Sequence, residues 1–172
     1  DSIMPKTNTL LAIDVGSDSL KIAEFSYPPT GKLVLEKFTF KEFGGDLKEE
    51  DLLPAIKNAL KAAFEENQFS SKTVNISITG QSSFIRFAKL PPIGGQEDRV
   101  RQVVEFEAKQ NVPFPINEVV WDYQLISEPG VDTEIEVMFV VAKNDFIEEI
   151  TSAIEEFSKG IKIVDIAPIA CY

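Results

Sequence analysis

No histidine occurs anywhere in the 172 residues, and the single cysteine, Cys171, stands one place from the end. Without histidine there is no Ser-His-Asp or Cys-His pair, no imidazole general base and no imidazole metal ligand. One cysteine makes neither an internal disulfide nor a thiolate zinc cluster, and a reducing cytoplasm suits such a chain. Long apolar runs are missing too. The longest, Val137 to Ala142, falls far short of the roughly 18 residues of a membrane span, and no signal-peptide pattern opens the sequence, so a soluble, unsecreted protein is expected. Basic runs are also absent and the net charge is −11, which repels phosphate backbones and makes nucleic acid a poor partner.

What is present is an ordinary globular composition: 44% hydrophobic and 26% charged residues. A chain of this length buries roughly 70% of its unfolded surface and needs no staple to hold a core. Residues 1–9 are polar and contain Pro5, and read as a loose terminus. Leu10 to Ile13 predicts a strand buried on both faces, ended by Asp14-Val15-Gly16-Ser17-Asp18. From Ser19 the pattern alternates, with Leu20, Ile22 and Glu24 on one face and Lys21, Ala23 and Phe25 on the other, a second strand running back antiparallel. After a Pro-Pro-Thr-Gly break, Leu33 to Lys41 alternates again and completes a meander.

Leu52, Leu53, Ile56, Ala59, Leu60, Ala63 and Phe64 recur at helical spacing behind Glu49, Glu50 and Asp51, whose charges suit the positive end of the helix dipole. A strand from Thr73 to Thr79 follows, closing at Gly80, so the first unit is β-β-β-α-β. The remainder predicts a strand from Ser83 to Leu90, a helix from Glu97 to Asn111, and strands at Val119–Ile126 and Glu134–Ala142. A helix carrying Phe146, Ile147, Ile150, Ala153, Ile154 and Phe157 on one face then ends at Gly160 and leads into a strand from Ile161 to Ile166. That second unit is β-α-β-β-α-β.

One segment has residues suited to chemistry. In Asp14-Val-Gly-Ser-Asp-Ser-Leu-Lys21, at the end of a buried strand, a glycine lets backbone N–H groups approach a phosphate, Ser17 adds a hydroxyl donor, and an aspartate can hold a Mg²⁺-bound water. Lys21, on the returning strand, would reach the same phosphate. Asp, Gly and Ser are equally the ordinary residues of a hairpin turn, and these positions alone fit a plain turn as well. The acidic pairs Glu65-Glu66, Glu148-Glu149 and Glu155-Glu156 lie on polar helix sides and read as solvated faces. Trp121 and Tyr123 read as an aromatic packing face.

The run Leu11-Ala-Ile-Asp-Val-Gly-Ser-Asp-Ser-Leu-Lys-Ile-Ala-Glu-Phe25 resembles the first phosphate motif of the actin, FtsA and sugar-kinase superfamily. Three further segments narrow it: Ile78 to Ser82 leading to Ile85-Arg-Phe-Ala-Lys-Leu-Pro-Pro92, then Glu105-Phe-Glu-Ala-Lys-Gln-Asn-Val-Pro-Phe-Pro-Ile116, then Trp121-Asp-Tyr-Gln-Leu125. Together, from Leu10 onward, they resemble the type IV pilus assembly proteins of the PilM family, an FtsA-like branch of the actin-like ATPases.

The resemblance implies an α/β fold in which an actin-like (RNase H-like) subdomain, residues 10–82, carries an inserted subdomain at 83–166, with the chain returning to the first subdomain at 167–172. It also implies that the second phosphate loop and the adenosine-binding glycines lie in a half of the molecule beyond these residues, so that the chain alone is inactive and binds nucleotide weakly. By the same resemblance the function is that of a cytoplasmic adaptor on the inner-membrane pilus platform, binding ATP with Mg²⁺ and holding the cytoplasmic N-terminal tail of PilN. Its membrane association runs through PilN and other platform proteins. Carried over by position, Asp14 organises the Mg²⁺ hydration shell, Gly16 and Ser17 donate to phosphate, and Lys21 is the matching base. The strand at Ser83–Leu90 has large apolar residues on both faces, and Phe84, Ile85 and Phe87 are candidates for a PilN groove. Two other readings stay open: an FtsA-like filament protein of cell division, and the N-terminal part of a sugar or acetate-type kinase.

Overall fold

A computed structural model describes residues 8–29, 31–44, 47–78, 83–92, 97–126, 134–158 and 160–166. It divides into two units: residues 1–81 with 148–172, and residues 82–147.

The first unit is built on a five-stranded mixed sheet in the order β3-β2-β1-β4-β8. Strands β1 (Asn8–Val15), β2 (Ser19–Tyr27) and β3 (Val34–Glu42) form the antiparallel meander the alternation predicts, while β4 (Val74–Ile78) and β8 (Ile161–Ile166) add parallel strands at the side of β1. Period-two patterning decides which side is core. Leu11, Ile13, Val15, Leu20, Ile22, Val74, Ile76 and Ile78 are all buried. Helix α1 (Glu49–Glu66) buries Leu52, Ile56, Ala59, Leu60 and Ala63 of the stripe its spacing predicts, with Leu53 and Phe64 only partly buried. Lys41 pairs with Glu66 and ties it to β3. Helix α3 (Asn144–Glu155) buries Ile150, Ala153 and Ile154 and is linked to α1 by Lys57–Glu149 and by Phe157 stacked on Phe64 at 4.7 Å.

Five expectations change here. Strand β1 begins at Asn8, with Asn8 and Thr9 paired with Tyr27 and Ser26, so these two residues are strand rather than loose terminus. It is fully buried on one face only, with Leu10, Ala12 and Asp14 partly exposed on the other. Strand β8 belongs to the first sheet rather than to the inserted unit, because its backbone completes the open side of β4, from Val74 opposite Ile161 to Ile78 opposite Ile166. The unit boundary accordingly falls within α3, at Ile147/Glu148, instead of after Ile166. Gly160 is not the cap of α3, which ends at Glu155; it is a point of close approach to the segment entering β4, whose Val74 N–H donates to its carbonyl at 2.8 Å. The expected return to the first subdomain at 167–172 lies outside the described residues, as do Thr79 and Gly80.

Glu24 is in phase with Leu20 and Ile22 and is 2% exposed. Its Oε1 accepts from the Ser70 and Ser71 N–H groups, each at 2.6 Å, and from the Ser70 hydroxyl at 3.0 Å, while Lys37 Nζ stands 3.6 Å from Oε2. A carboxylate so placed clamps the α1–β4 connection to the middle of β2. Ser158 Oγ donates to the Ser71 carbonyl at 3.3 Å, which joins the segment before β8 to the same place.

The second unit is a three-stranded antiparallel sheet, β5 (Ser83–Leu90), β7 (Ile135–Lys143) and β6 (Val119–Leu125) in that spatial order, with helix α2 (Glu97–Asn111). Its core joins Leu90, Val104, Ala108, Val112, Val119, Ile135, Val137, Phe139 and Val141. Trp121 and Tyr123 pack on this core from β6, as an aromatic packing face should.

Candidate functional site

The turn joining β1 and β2 is set by the register of the two strands. Val15 faces Leu20 and Asp14 faces Lys21 across the antiparallel pair, leaving Gly16, Ser17 and Asp18 to reverse the chain. The Gly16 N–H donates to the Ser19 carbonyl at 2.8 Å, closing the turn. A Cβ on Gly16 would itself lie 2.8 Å from that carbonyl, so only glycine fits without a backbone shift. Because its N–H is used within the turn, Gly16 serves by the room it leaves. Among the described residues the Ser17 N–H has no acceptor, and it stands partly exposed beside its own hydroxyl.

Directly opposed residues on an antiparallel pair share a face, so Asp14 and Lys21 meet. Lys21 Nζ lies 3.0 Å from Asp14 Oδ2, with the two side chains 44% and 39% exposed. Ser77 on β4 is the parallel neighbour of Asp14. On the far side of the turn, Ser19 Oγ donates to Asp18 Oδ1 at 2.8 Å, and the Phe43 N–H, just beyond β3, donates to the Asp18 carbonyl at 2.8 Å. The structure thus brings Asp14, Gly16, Ser17 and Lys21 together at one end of the sheet. The Lys21–Asp14 ion pair and the internal use of the Gly16 amide are features that residue types alone do not reveal.

The donor set suits a phosphate with its cation: an unengaged amide, a hydroxyl, an ammonium and a carboxylate, all partly open to solvent. Among the described residues no group of three or more His, Cys, Asp or Glu is placed to hold a metal directly.

The second candidate set lies on β5, an outer strand of its sheet. Phe84 packs on the core of the unit and meets the Phe114 ring at 6.4 Å, whereas Phe87 is 67% exposed and lies in register with Met138. Ile85 is partly buried and in register with Val140. By the alternation of β5, Ile85 and Phe87 share one face and Phe84 occupies the other.

The sequence profile described as Type IV pilus assembly protein PilM matches residues 12–172. The chain belongs to the PilM family. Among solved structures it is similar to the PilM-PilN type IV pilus biogenesis complex, with a TM-score of 0.73 and 20% identity, covering 94% of this chain and 48% of that one. It also resembles the cytoplasmic domain of EpsL, an inner membrane component of the type II secretion system of Vibrio cholerae, with a TM-score of 0.53 and 10% identity over 92% of this chain and 57% of that one. The chain therefore spans about half the length of the structures it resembles. The family match supports a type IV pilus assembly protein. The α/β, actin-like fold that the resemblance implies is the fold these relatives share. Among the described residues no helix is long and apolar enough to cross a membrane.

Proposed function

We propose that this chain forms the first phosphate-binding wall of an ATP-binding adaptor in type IV pilus assembly, working at the cytoplasmic side of the inner membrane. The observation that carries the reading is the pairing of Asp14 with Lys21 across β1 and β2, beside a glycine turn that leaves the Ser17 N–H and hydroxyl unengaged. Ser17 and Lys21 would hold the phosphates, and Asp14 would reach Mg²⁺ through a bound water. The bound cation would neutralise phosphate charge; whether hydrolysis follows depends on groups outside this wall.

In the full-length protein, Asp14→Ala should weaken Mg-ATP binding at least about 100-fold, as expected when a group that organises the cation is lost. The nucleotide-free protein should change little in stability, because an ion pair this exposed contributes at most about 1 kcal/mol. Calorimetric titration with Mg-ATP and a thermal melt without it make the test. Equal affinity in variant and parent rejects the reading.

The partner in this proposal is the N-terminal tail of PilN, the protein that accompanies PilM in the similar complex. An extended peptide gains affinity from backbone hydrogen bonds along a strand edge and from a few apolar anchors. β5 offers both, with an edge position and the exposed Phe87. Phe87→Ser should leave the fold intact and weaken binding of a synthetic PilN tail peptide by about tenfold in fluorescence anisotropy, the loss typical of an interface anchor. An unchanged titration removes β5 as the docking strand.

A further inference from the structure

Apolar side chains gather at the tip of the β2–β3 hairpin, at the opposite end of β2 from Lys21. Tyr27 closes β2, Leu33 precedes β3, and Val34 and Leu35 open it; each is between 42% and 55% exposed. They do not share a face. Val34 is in register with Ser26, on the face that carries buried Ile22 and Glu24, whereas Leu35 is in register with Phe25 on the other face. The tip is therefore a convex wedge with apolar side chains on both sides and not a flat patch. Its turn offers few donors: Pro28 and Pro29 have no N–H, and Gly31, at φ +79°, donates its N–H to the Pro28 carbonyl at 3.0 Å. Within a chain of net charge −11, the stretch from Phe25 to Leu35 has one charged residue, Lys32. Lys32 is exposed and, among the described residues, has no ion-pair partner. The first acid beyond it, Glu36, accepts from the Ser26 hydroxyl.

We infer that this hairpin tip is a lipid contact, a shallow wedge that enters the interfacial layer of a bilayer with anionic headgroups. A protein partner would have to enclose a convex apolar tip in a pocket of matching shape, whereas a bilayer surrounds it without one. Tyrosine suits that layer, with its ring among the acyl chains and its hydroxyl among the headgroups. The missing and engaged N–H groups of the turn matter for the same reason, since hydrocarbon supplies no acceptor. Lys32 faces the anionic headgroups, and this end of the hairpin is a local exception to the repulsion that the net charge imposes. Four side chains make a weak contact, which strengthens an attachment made elsewhere. The inference goes beyond the reading above, in which the membrane is reached through PilN, and fails separately from it, because PilN tail binding is read without lipid.

The experiment is flotation of the full-length protein with vesicles of phosphatidylethanolamine and phosphatidylglycerol, for the parent, for Lys32→Ala and for the double variant Leu33→Ser, Leu35→Ser. All three positions are exposed, so the fold should persist, and thermal melts verify it. The parent should float, and the double variant should bind at least about tenfold more weakly, since two large apolar side chains no longer leave water. Lys32→Ala should lose about fivefold, the share of one lysine at an anionic surface. Tyr27→Trp reports the depth: brominated acyl chains should quench its emission more than they quench the parent's. Failure of the parent to float, equal flotation of the double variant, or emission from the new tryptophan that brominated lipid leaves unchanged would each overturn the lipid contact. Emission already shifted to the blue without vesicles would overturn it as well, showing that protein covers the tip.

Discussion

Gly160→Ala is expected to destabilise the protein by more than about 4 kcal/mol, a loss reserved for substitutions that damage the backbone frame or the core. A Cβ at this position would lie 1.4 Å from the Lys72 carbonyl oxygen and 2.6 Å from its carbon. Those are main-chain atoms, so no side chain can swing aside. The only relief is to part the start of β8 from the segment leading into β4, which breaks the Val74 N–H bond to the Gly160 carbonyl and disturbs the parallel register from Val74–Ile161 onward. Urea unfolding should show the loss, and hydrogen exchange at the Val74 amide should accelerate more than exchange across the β1–β2 pair. A loss below about 1 kcal/mol, with Val74 still protected, would mean that the two segments do not approach as described.

Glu24→Ala should be the next most damaging change, at about 3 kcal/mol. Its removal leaves the buried Ser71 N–H and the more exposed Ser70 N–H without their acceptor, and a buried group left unpaired costs about 1–3 kcal/mol. Lys37 loses less, since it is partly exposed and also donates to the Gln68 carbonyl. Glu24→Gln isolates the charge. Burial acts to raise the pKa of this carboxyl, but the N–H bonds from Ser71 and Ser70, the Ser70 hydroxyl and nearby Lys37 together outweigh it and hold the pKa below the ordinary 4.5. Because the folded value is the lower one, the stabilisation from ionised Glu24 is complete above the unfolded pKa and is lost as pH falls through the folded value. The difference in unfolding free energy between parent and Glu24→Gln should therefore be constant from about pH 6 to 8 and shrink below about pH 4. A difference independent of pH would show that the charge contributes nothing and only the shape matters.

Local patterning made most of the elements legible. The limits of β5, α2 and β8 read from the sequence coincide with those observed, because each is bounded by proline, glycine or a change of period. The antiparallel return of β2 on β1 was legible too, but the pairing of Asp14 with Lys21 depends on the exact turn length, which the alternation does not fix. What could not be read locally was set by distant residues. Strand β8 has an alternation that would fit either sheet, and its true neighbour is decided by contacts with Lys72 and Val74, far back in the chain. The phase of Glu24, in step with Leu20 and Ile22, already placed it inside, yet its acceptor role depends on Ser70 and Ser71, 46 and 47 positions later. At the turn, glycine signalled a phosphate donor, but the close approach of the Ser19 carbonyl takes that N–H and leaves the Ser17 N–H free of an acceptor among the described residues.

The insertion between β4 and β8 has a consequence during synthesis. β4 gains its second hydrogen-bonded neighbour only when Ile161–Ile166 has left the ribosome, although the meander and α1 emerged long before. Until then one side of a buried parallel strand is an open row of N–H and C=O groups, the kind of edge that recruits other chains. Residues 82–147 emerge in that interval, between the two strands. Nascent chains stopped ahead of Ile161 should consequently aggregate or be held by chaperones, and those extended past Ile166 should be released from both.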